Sequence, residues 1–267
     1  MLFSFKITYS AQQITGEVGV KTTLRICADP NNLPYSSQDT EGYENKIANL
    51  FAKKLGNIPV IYAWYPMTSG FVRRTLDAKT CDLIVTFPAI HEFVQNTNPF
   101  YNSSYVLMSL EEKDIKVKTL SDPIIKEKKY KIGIIHATPP SSYVAKYKLF
   151  GQVEFYRQAA DPRKQKPWVD ITNDLVDGKL DIAILWGPYA GYEAKKAKKP
   201  IRIVPLTKEE TVSRGKLVYR FTMGIRRNEP EWEKTINNLI KENQEEINKI
   251  LREYGVPLLD NLGNPLK

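Results

Sequence analysis

Residues 177–192 read DGKLDIAILWGPYAGY and decide the fold of the chain. An Asp-Gly pair near the start is typical of a turn, and the apolar run that ends at Trp186 is long enough for one buried strand. The Gly-Pro pair that follows ends the strand, and its proline can occupy the first turn of a helix. Ligands and partners of open α/β sheets bind beyond the carboxyl ends of the strands. The sequence therefore predicts aromatic site residues just after this strand, with packing in the core as the alternative role.

Strand and helix patterns alternate on both sides of this stretch. A first series of short apolar strands and helices covers residues 24–110, and a second, similar series covers residues 131–206. Strands joined through crossover helices form mainly parallel sheets. A last strand at 219–226 and a long helix from Glu231, ended by Gly255, complete the pattern. We predict an α/β fold with two lobes, each a mainly parallel sheet flanked by helices.

The length of 267 residues is sufficient for two lobes with separate hydrophobic cores. We assign residues 22–108 and 218–267 to the first lobe and residues 109–217 to the second, which requires two crossings between the lobes. Residues 1–21 are interpreted as an N-terminal extension or linker, because their apolar positions are interrupted and form a poor signal peptide. No apolar run approaches the roughly 20 residues of a membrane-spanning helix. We expect a monomer without a membrane span.

The formal charge of +9 is concentrated in the middle of the chain. Residues 109–217 contain 22 basic and 14 acidic side chains, a balance of +8, which leaves +1 for the other residues. Charge of one sign on one face steers association with acidic partners, although a solvated lysine-rich surface explains these numbers equally well. Nucleic acid is not expected as a partner, because no recognition motif accompanies the lysines.

Few residues suit metal binding or catalysis. Cys27 and Cys81 lack the spacing of metal ligands, and the sequence leaves one disulfide and two buried thiols as open alternatives. The two histidines, His91 and His136, are far apart in the sequence. No phosphate-binding glycine loop, nucleophile elbow or zinc-protease motif occurs. We therefore expect no metal site and no cofactor, and a binding protein rather than an enzyme.

The loops that follow strands in both lobes are the candidate binding site. If the lobes face each other, these loops converge on one cleft lined by amides, hydroxyls, prolines and aromatic rings. The hydroxyls before the predicted helix at 142–150 serve either to cap that helix or to present its amides to an anion. The candidate residues are Asp29, Asn31, Asn32, Tyr35 and Phe87 in the first lobe, and Thr138, Ser141, Trp186, Tyr189 and Tyr192 in the second.

Four separated motifs, in order, resemble the MxaJ/XoxJ proteins. They read CADPNNLP at 27–34, TPP at 138–140, WGPYAGY at 186–192 and YGVPLL at 254–259. Proteins of this family are periplasmic, solute-binding-protein-like partners of PQQ-dependent methanol dehydrogenases. The resemblance implies a periplasmic location and a two-lobed fold of the type II binding-protein kind. It also implies a role in maturing or activating a dehydrogenase. We expect an XoxJ-like protein with a lanthanide-dependent partner, and keep the calcium-dependent type as the alternative.

Two features depart from relatives of this fold. Amino-acid-binding relatives place an arginine after the third strand of the first lobe, where it pairs with the carboxylate of the ligand. Residues 87–94 read FPAIHEFV and contain no arginine, which argues against ordinary amino-acid uptake. Some family members are fused behind a c-type cytochrome, so residues 1–21 are interpreted as a processed linker and a cytochrome as a further candidate partner. The alternative function is an ABC-transporter solute-binding protein that holds a small ligand between the lobes.

Overall fold

The computed structural model describes residues 21–89, 93–158 and 165–266. The predicted N-terminal extension, apart from Lys21, lies outside these ranges, and so does His91. Within the described ranges the chain forms twelve β-strands and eight α-helices. Strands that are linked through helices lie parallel to one another, as the alternation of patterns predicts. The predicted fold class is confirmed.

The first sheet belongs to the predicted first lobe. Strand β1 lies parallel to β4 on one side and to β5 on the other, and β12 lies antiparallel to β5. Strands β2 and β3 form a separate hairpin after β1. The elements are β1 (Leu24–Ala28), β2 (Asn31–Asn32), β3 (Ser36–Ser37), α1 (Tyr43–Lys54), β4 (Val60–Trp64), α2 (Phe71–Arg74), β5 (Leu83–Pro88), β6 (Gln95–Asn96), β12 (Val218–Ile225), α7 (Pro230–Glu242) and α8 (Gln244–Glu253).

The second sheet belongs to the predicted second lobe. Strand β8 lies parallel to β9 on one side and to β10 on the other, so β9 is the edge strand. Strand β7 lies antiparallel to both β10 and β11. The elements are β7 (Tyr101–Leu110), α3 (Ile124–Glu127), β8 (Ile132–Ile135), α4 (Ser141–Lys146), β9 (Val153–Tyr156), α5 (Pro167–Val176), β10 (Ile182–Trp186), α6 (Gly187–Lys196) and β11 (Ile201–Pro205).

Strand β7 connects the two sheets. Its first residues, 101–104, pair with β12 in the first sheet, whereas residues 105–110 pair with β10 and β11 in the second. The predicted lobe limit between residues 108 and 109 lies inside this shared strand and stays a prediction. The shared strand brings the carboxyl ends of the parallel strands of the two lobes near each other.

Each sheet packs apolar side chains on both faces. In the first lobe, α1, α7 and α8 cover one face with Phe51, Trp232 and Leu251. In the second lobe, Tyr143 of α4 and Leu175 of α5 belong to the two clusters on opposite faces of the sheet. Burial of one such side chain stabilises the fold by about 1.5–3 kcal/mol. The periodic apolar positions of the sequence therefore produce separate cores in the two lobes.

A disulfide lies on the other face of the first sheet. It joins Cys27 of β1 to Cys81, with Cα atoms 5.3 Å apart, beside the buried side chains of Phe71 and Leu76. The two cysteines are 54 positions apart in the sequence, and a loop of this length corresponds to about 4 kcal/mol of stabilisation in the loop-entropy model. Disulfides persist in oxidising compartments, so this crosslink suits an exported protein.

Asp82, directly before β5, is buried among three basic side chains. Its carboxylate oxygens lie 2.7 Å from Arg25 Nη2, 2.5 Å from Arg226 Nη2 and 3.2 Å from Lys21 Nζ. Burial by itself raises the pKa of Asp82, but the hydrogen bonds from Arg25 and Arg226 and the charge of Lys21 outweigh burial and hold that pKa well below its usual range. This cluster ties β1, the start of β5 and the end of β12 together.

Two helices are shorter than the sequence predicts. The long helix that starts near Glu231 is divided into α7 and α8 at Asn243. The Asn243 side chain donates a hydrogen bond to the Leu239 carbonyl (2.8 Å), and its backbone leaves the helical range at φ −121°. The helix predicted over residues 142–150 is reduced to α4 (Ser141–Lys146), and Lys148 beyond it has left the helical range at φ +54°. The hydrogen bond from the Asn243 side chain accounts for the division between α7 and α8. The periodicity of apolar residues does not reveal such a bond.

Candidate functional site

The strand that ends at Trp186 brings the second lobe to the cleft. α6 starts at the next residue with Pro188 in its first turn, where the missing N–H of proline costs no helical hydrogen bond. Strand β8 ends three residues before Thr138, and in the first lobe β1 ends beside Asp29. These loops follow the carboxyl ends of parallel strands in both sheets, and side chains from the two lobes meet between them.

Polar contacts join the loops of the two lobes at the cleft. Trp186 Nε1 donates a hydrogen bond to the Tyr35 hydroxyl at 2.5 Å, and the Tyr189 hydroxyl donates to Asn32 Oδ1 at 2.8 Å. Lys166 Nζ, just ahead of α5, donates to Asn31 Oδ1 at 2.9 Å. The sequence assigned all of these residues except Lys166 to the cleft. Asn32, Tyr35, Trp186 and Tyr189 bond to one another in two pairs, and Asn31 bonds to Lys166 across the cleft.

Aromatic rings surround these hydrogen bonds. Tyr189 stacks on Trp168 with ring centroids 4.1 Å apart and meets Tyr35 edge-on at 5.4 Å. Trp186 lies 5.5 Å from the ring of Phe221 in the first lobe. Burial raises the pKa of the Tyr35 and Tyr189 hydroxyls, so both stay neutral and exchange hydrogen bonds without carrying charge. Around these hydrogen bonds the contact between the lobes is aromatic and uncharged, with Lys166 at its rim.

Two glycines allow the backbones of the lobes to approach closely. A Cβ atom at Gly191 would lie 1.7 Å from the carbonyl oxygen of Gly255, which follows α8 and has φ +74°. A Cβ atom at Gly187 would lie 2.5 Å from the carbonyl oxygen of Ser104 and 2.6 Å from Pro257 Cγ. A side chain at either position would push the two backbone segments apart. The glycines of WGPYAGY therefore determine how closely α6 packs on the first lobe.

Asp29 is bonded within the first lobe. Its side chain is 3% exposed, and its two carboxylate oxygens accept the backbone N–H groups of Asn31 (2.8 Å) and Met67 (2.6 Å). Ser36 bonds to the N–H and the carbonyl of Asp29. The residue thus holds the loop after β1 against the loop after β4. Its assignment as a ligand or partner contact stays a prediction.

The hydroxyls of Thr138 and Ser141 do not cap a helix. Thr138 Oγ1 donates to the Ile135 carbonyl at 2.6 Å, and Ser141 Oγ lies 3.5 Å from the same oxygen. α4 starts at Ser141 without a side-chain cap, so the capping role weighed for these residues is wrong. The two hydroxyls instead close the turn that follows β8. Their predicted part in ligand or partner binding is untouched by this finding and stays a prediction.

Tyr192 and Phe87 lie away from the central hydrogen bonds. The Tyr192 ring stacks on Tyr254 of the first lobe at 6.2 Å, and Lys196 Nζ lies 4.8 Å above it. Tyr192 therefore belongs to the lobe contact near the glycine pair. Phe87, at the end of β5, is 7% exposed and lines a cavity of about 500 Å³ in the first lobe. That cavity shares Met67 with the space between the lobes.

A cavity of about 390 Å³ remains between the lobes beside the central contact. The second lobe provides most of its wall, and the loop after β4 in the first lobe provides the rest. No charged side chain is among the described residues that line it. The lining residues are Met67, Thr68, Tyr105, Ile135, Thr138, Gln158, Pro167, Trp168, Ile184, Leu185, Trp186 and Tyr189. Such a space suits a small ligand that is aromatic or apolar and carries few polar groups.

Sequence reasoning missed several of these cavity residues. Trp168 was not among the candidate residues, although a tryptophan directly after a helix-starting proline was a usable signal. Met67 offered no signal of its own. Its position depends on the Asp29 carboxylate, which accepts its backbone N–H across 38 residues of sequence. Tyr105 lies in the part of β7 where pairing passes from one sheet to the other.

A buried carboxyl group lies in the first lobe behind this contact. Glu44, in the first turn of α1, is 2% exposed, and its Oε1 atom finds no hydrogen-bond partner among the described residues. Burial raises the pKa of Glu44 to about 8, so the group is neutral in the folded protein at neutral pH. The sequence pattern gave no sign of it, because Glu44 precedes the apolar stripe of α1 on a polar stretch.

Comparison with known proteins identifies the family. Residues 24–257 match the family model described as bacterial extracellular solute-binding proteins, family 3. The chain is 37% identical to the periplasmic binding protein XoxJ from Methylobacterium extorquens AM1, with 89% of this chain and 100% of that chain covered and a TM-score of 0.73. The chain belongs to the MxaJ/XoxJ family of solute-binding proteins.

Two further MxaJ/XoxJ relatives agree with this assignment. Protein MoxJ of Methylorubrum extorquens is 27% identical over 252 residues, which cover 89% of this chain and 82% of that protein. MxaJ from Methlophaga aminisulfidivorans MPT is 22% identical and has the same fold, with a TM-score of 0.74 over 88% of this chain and 100% of that chain. The resemblance inferred from four sequence motifs is therefore confirmed.

As an MxaJ/XoxJ protein, the chain is a binding protein of the group associated with methanol oxidation. Among the described residues, no helix combines the length and the apolar character needed to cross a bilayer. The same residues contain no cluster of three or more His, Cys, Asp or Glu side chains with the geometry to hold a metal ion. What remains as a candidate site is the aromatic contact between the lobes and the cavity beside it.

Proposed function

We propose that the chain is a periplasmic accessory protein that binds a PQQ-dependent methanol dehydrogenase and assists its maturation or activation, without catalysing a reaction itself. Membership in the MxaJ/XoxJ family supports the choice of partner. The observation that carries the proposal is the use of cleft side chains in lobe-to-lobe bonds. Asn32 and Tyr35, which a solute receptor would offer to its ligand, bond to Tyr189 and Trp186 of the same chain. The cleft thus holds the lobes together, and the outer surfaces remain for a protein partner.

The lanthanide-dependent type of dehydrogenase is the preferred partner. The identity of 37% to XoxJ is higher than the 22% to MxaJ at nearly the same coverage, which supports an XoxJ-like protein. A c-type cytochrome remains a further candidate partner within this proposal. The extracellular nature of the family and the Cys27–Cys81 disulfide both support a periplasmic location.

Titration calorimetry with the purified methanol dehydrogenase of the same organism tests the proposal. We expect a saturable complex, and an increase in dehydrogenase activity when the chain is added during cofactor loading. Both the cofactor-free and the loaded dehydrogenase should be titrated, because a maturation factor discriminates between them. The heat-denatured chain, titrated under the same conditions, is the control for nonspecific binding. Absence of binding to either dehydrogenase form at low ionic strength overturns the proposal.

A second candidate function is supported by the cavity of about 390 Å³ between the lobes. We infer that, in this case, the chain is the solute-binding protein of an ABC transporter and takes a small, uncharged, aromatic or apolar ligand. Its neutral lining and the stacked rings of Trp168 and Tyr189 favour that ligand class over amino acids. A charged carboxylate would find no basic side chain among the described lining residues.

Thermal-shift screening against small aromatic alcohols and acids, with amino acids as a comparison set, tests the second function. A ligand that raises the melting temperature should lose at least about tenfold in affinity in Trp168→Ala, because ring stacking and buried apolar area are both removed. Phe150→Ala, an exposed aromatic position outside the cavity, is the matched control. A flat response to the whole set removes the support for this function.

A further inference from the structure

A cluster of lysines surrounds an open depression at the outer end of the second lobe. The depression has a volume of about 780 Å³ and is lined by Lys126 after the start of α3, Lys129, Lys131 before β8, Lys148 after α4 and Lys179 before β10. We call these five residues the lysine depression. The first and the last of them, Lys126 and Lys179, are 53 positions apart in the sequence. They therefore come together through tertiary folding and do not form a single run of charge.

The lysine depression lies at the opposite end of the second sheet from the cleft. Lys131 directly precedes β8, and Lys179 lies three residues before β10, so both are at the amino ends of parallel strands. Trp186 and the other cleft residues follow the carboxyl ends of the same strands. At about 3.3 Å per residue, strands of this length separate the two ends by roughly 15 Å. The depression and the cleft are therefore separate surfaces of the second lobe.

Four of these five lysines form no ion pair with the acidic side chains that the structure describes. Among the described ion pairs, none involves Lys126, Lys129, Lys131 or Lys148. Lys179 pairs with Asp174 (2.6 Å) and Asp177 (3.5 Å). Glu154 on β9 is the acidic residue of the lining. The depression thus carries an excess of positive charge, and the mutual repulsion of its lysines falls when an anionic surface is bound.

An exposed aromatic side chain borders the lysine depression. Phe150 is 65% exposed and directly precedes Gly151, which is part of the lining. β9, which follows it, is an edge strand that pairs only with β8 in the described sheet. An exposed aromatic ring beside basic residues at a sheet edge is typical of a protein-binding surface, because aromatic residues act as anchors and basic residues guide an acidic partner.

We propose that the lysine depression, with Phe150 at its border, is the docking surface for an acidic face of the partner protein. This inference rests on the proposed function, in which that partner is the methanol dehydrogenase, and adds the surface and the chemistry of recognition. The excess of basic residues in 109–217, a balance of +8, supports an acidic partner over a neutral one. The cleft is not part of the docking surface.

Charge reversal of the depression tests the proposal. The variant Lys126→Glu, Lys129→Glu and Lys148→Glu should bind the purified dehydrogenase at least about tenfold more weakly at low salt, mainly through slower association. The salt dependence of binding should also become weaker. The matched control reverses three exposed lysines of α7 and α8 in the first lobe: Lys234→Glu, Lys241→Glu and Lys249→Glu. This control changes the net charge by the same amount and should bind within about threefold of the unmodified chain.

A second variant separates the aromatic anchor from the charges. Phe150→Ala should speed dissociation several-fold with little change in the association rate, because an anchor contributes after the encounter. Leu262→Ala, at a position that is 88% exposed in the first lobe, is the matched control. Circular dichroism of all variants checks that each one is folded.

The outcomes distinguish this inference from the proposed function. If the unmodified chain does not bind the dehydrogenase, the proposed function fails. If the unmodified chain binds but the depression variant and the control variant bind equally well, the docking surface is wrong and the proposed function stands. Vesicles with anionic lipids provide a third arm. Loss of vesicle binding in the depression variant, with unchanged dehydrogenase binding, would assign the surface to a membrane and overturn the inference.

Discussion

Asp82 and Asp181 occupy the same place in the two lobes, directly before the third parallel strand of each. The backbone N–H of Asp82 donates to the Arg25 carbonyl at 2.8 Å, and that of Asp181 donates to the Lys131 carbonyl at 2.9 Å. Each carboxylate also pairs with a basic side chain, which for Asp181 is Lys113 at 2.6 Å. Asp82 is 2% exposed, whereas Asp181 is 29% exposed.

The two lobes thus place an aspartate at the same position of the fold but differ in how far its ion pair is buried. In the first lobe, the buried Asp82 carboxylate forms ion pairs with Arg25, Arg226 and Lys21. The first lobe also contains the Cys27–Cys81 disulfide. The second lobe has no cysteine, and its excess charge lies on exposed lysines. Electrostatics in the first lobe therefore act on stability, whereas the docking surface proposed above assigns the charge of the second lobe to association.

The largest expected effect comes from neutralising Asp82, with the same change at Asp181 as the comparison. Asp82→Asn should lower the free energy of unfolding by roughly 3–5 kcal/mol, because it removes the buried carboxylate that Arg25, Arg226 and Lys21 share. Asp181→Asn should cost less than about 1 kcal/mol, because its ion pair is solvated. Urea unfolding of both variants at neutral pH measures the difference. Equal losses in the two variants would remove the contrast between the lobes.

The effect of Asp82→Asn should also depend on pH in a defined direction. The folded-state pKa of Asp82 is lowered, so its contribution is present above the unfolded-state value near 3.9 and is lost as the pH falls toward the folded-state pKa. The stability of the unmodified chain and that of the variant should therefore converge in acid. A constant difference from neutral pH down to about pH 3 would contradict this assignment.

Glu44 is expected to have the next largest effect, again inside the first lobe. Its pKa is about 8 when folded and about 4.3 when unfolded, so its contribution is complete below the lower value and declines as the pH rises to the higher one. This corresponds to a loss of roughly 2–3 kcal/mol between pH 6 and pH 8. Glu44→Gln should abolish that slope in unfolding experiments across this range. An unchanged slope would show that another group titrates.

The smallest effect is expected at the contact between the lobes. Gly191→Ala places a Cβ atom 1.7 Å from the Gly255 carbonyl oxygen, so the lobes must move apart at a cost of roughly 1–3 kcal/mol. Small-angle scattering should show a larger radius of gyration, and the melting temperature should fall. Gly151→Ala is the control, since its added Cβ atom meets nothing within 4 Å. An unchanged radius in Gly191→Ala would mean that the glycine pair does not set the lobe distance.

Much of the fold follows from local patterns. The strand before Trp186, the helix that starts after it and the other parallel strands were predicted from short apolar runs and turn residues, because these signals act over a few neighbouring positions. The family was also evident from four motifs. The division of the last helix at Asn243 was not predicted, because it depends on one side-chain hydrogen bond to the Leu239 carbonyl.

The candidate site was predicted only in part. Asn32, Tyr35, Trp186 and Tyr189 do meet between the lobes, because loops after the carboxyl ends of parallel strands share one edge of each sheet. The structure shows that they bond to each other, and the suggestion from the sequence that they bind a ligand or partner stays a prediction. Their partners are about 150 positions away in the sequence, and no local pattern encodes such a pairing.

For this protein, the sequence by itself determined the two α/β lobes, the family and the segment that reaches the cleft, because periodicity and motifs are properties of neighbouring residues. Only the tertiary structure decided that WGPYAGY is a contact between lobes, that Asp82 and Asp181 differ in burial, and that five scattered lysines surround one depression. Those properties depend on distances between residues that are far apart in the chain, and such distances are set by the packing of the whole fold.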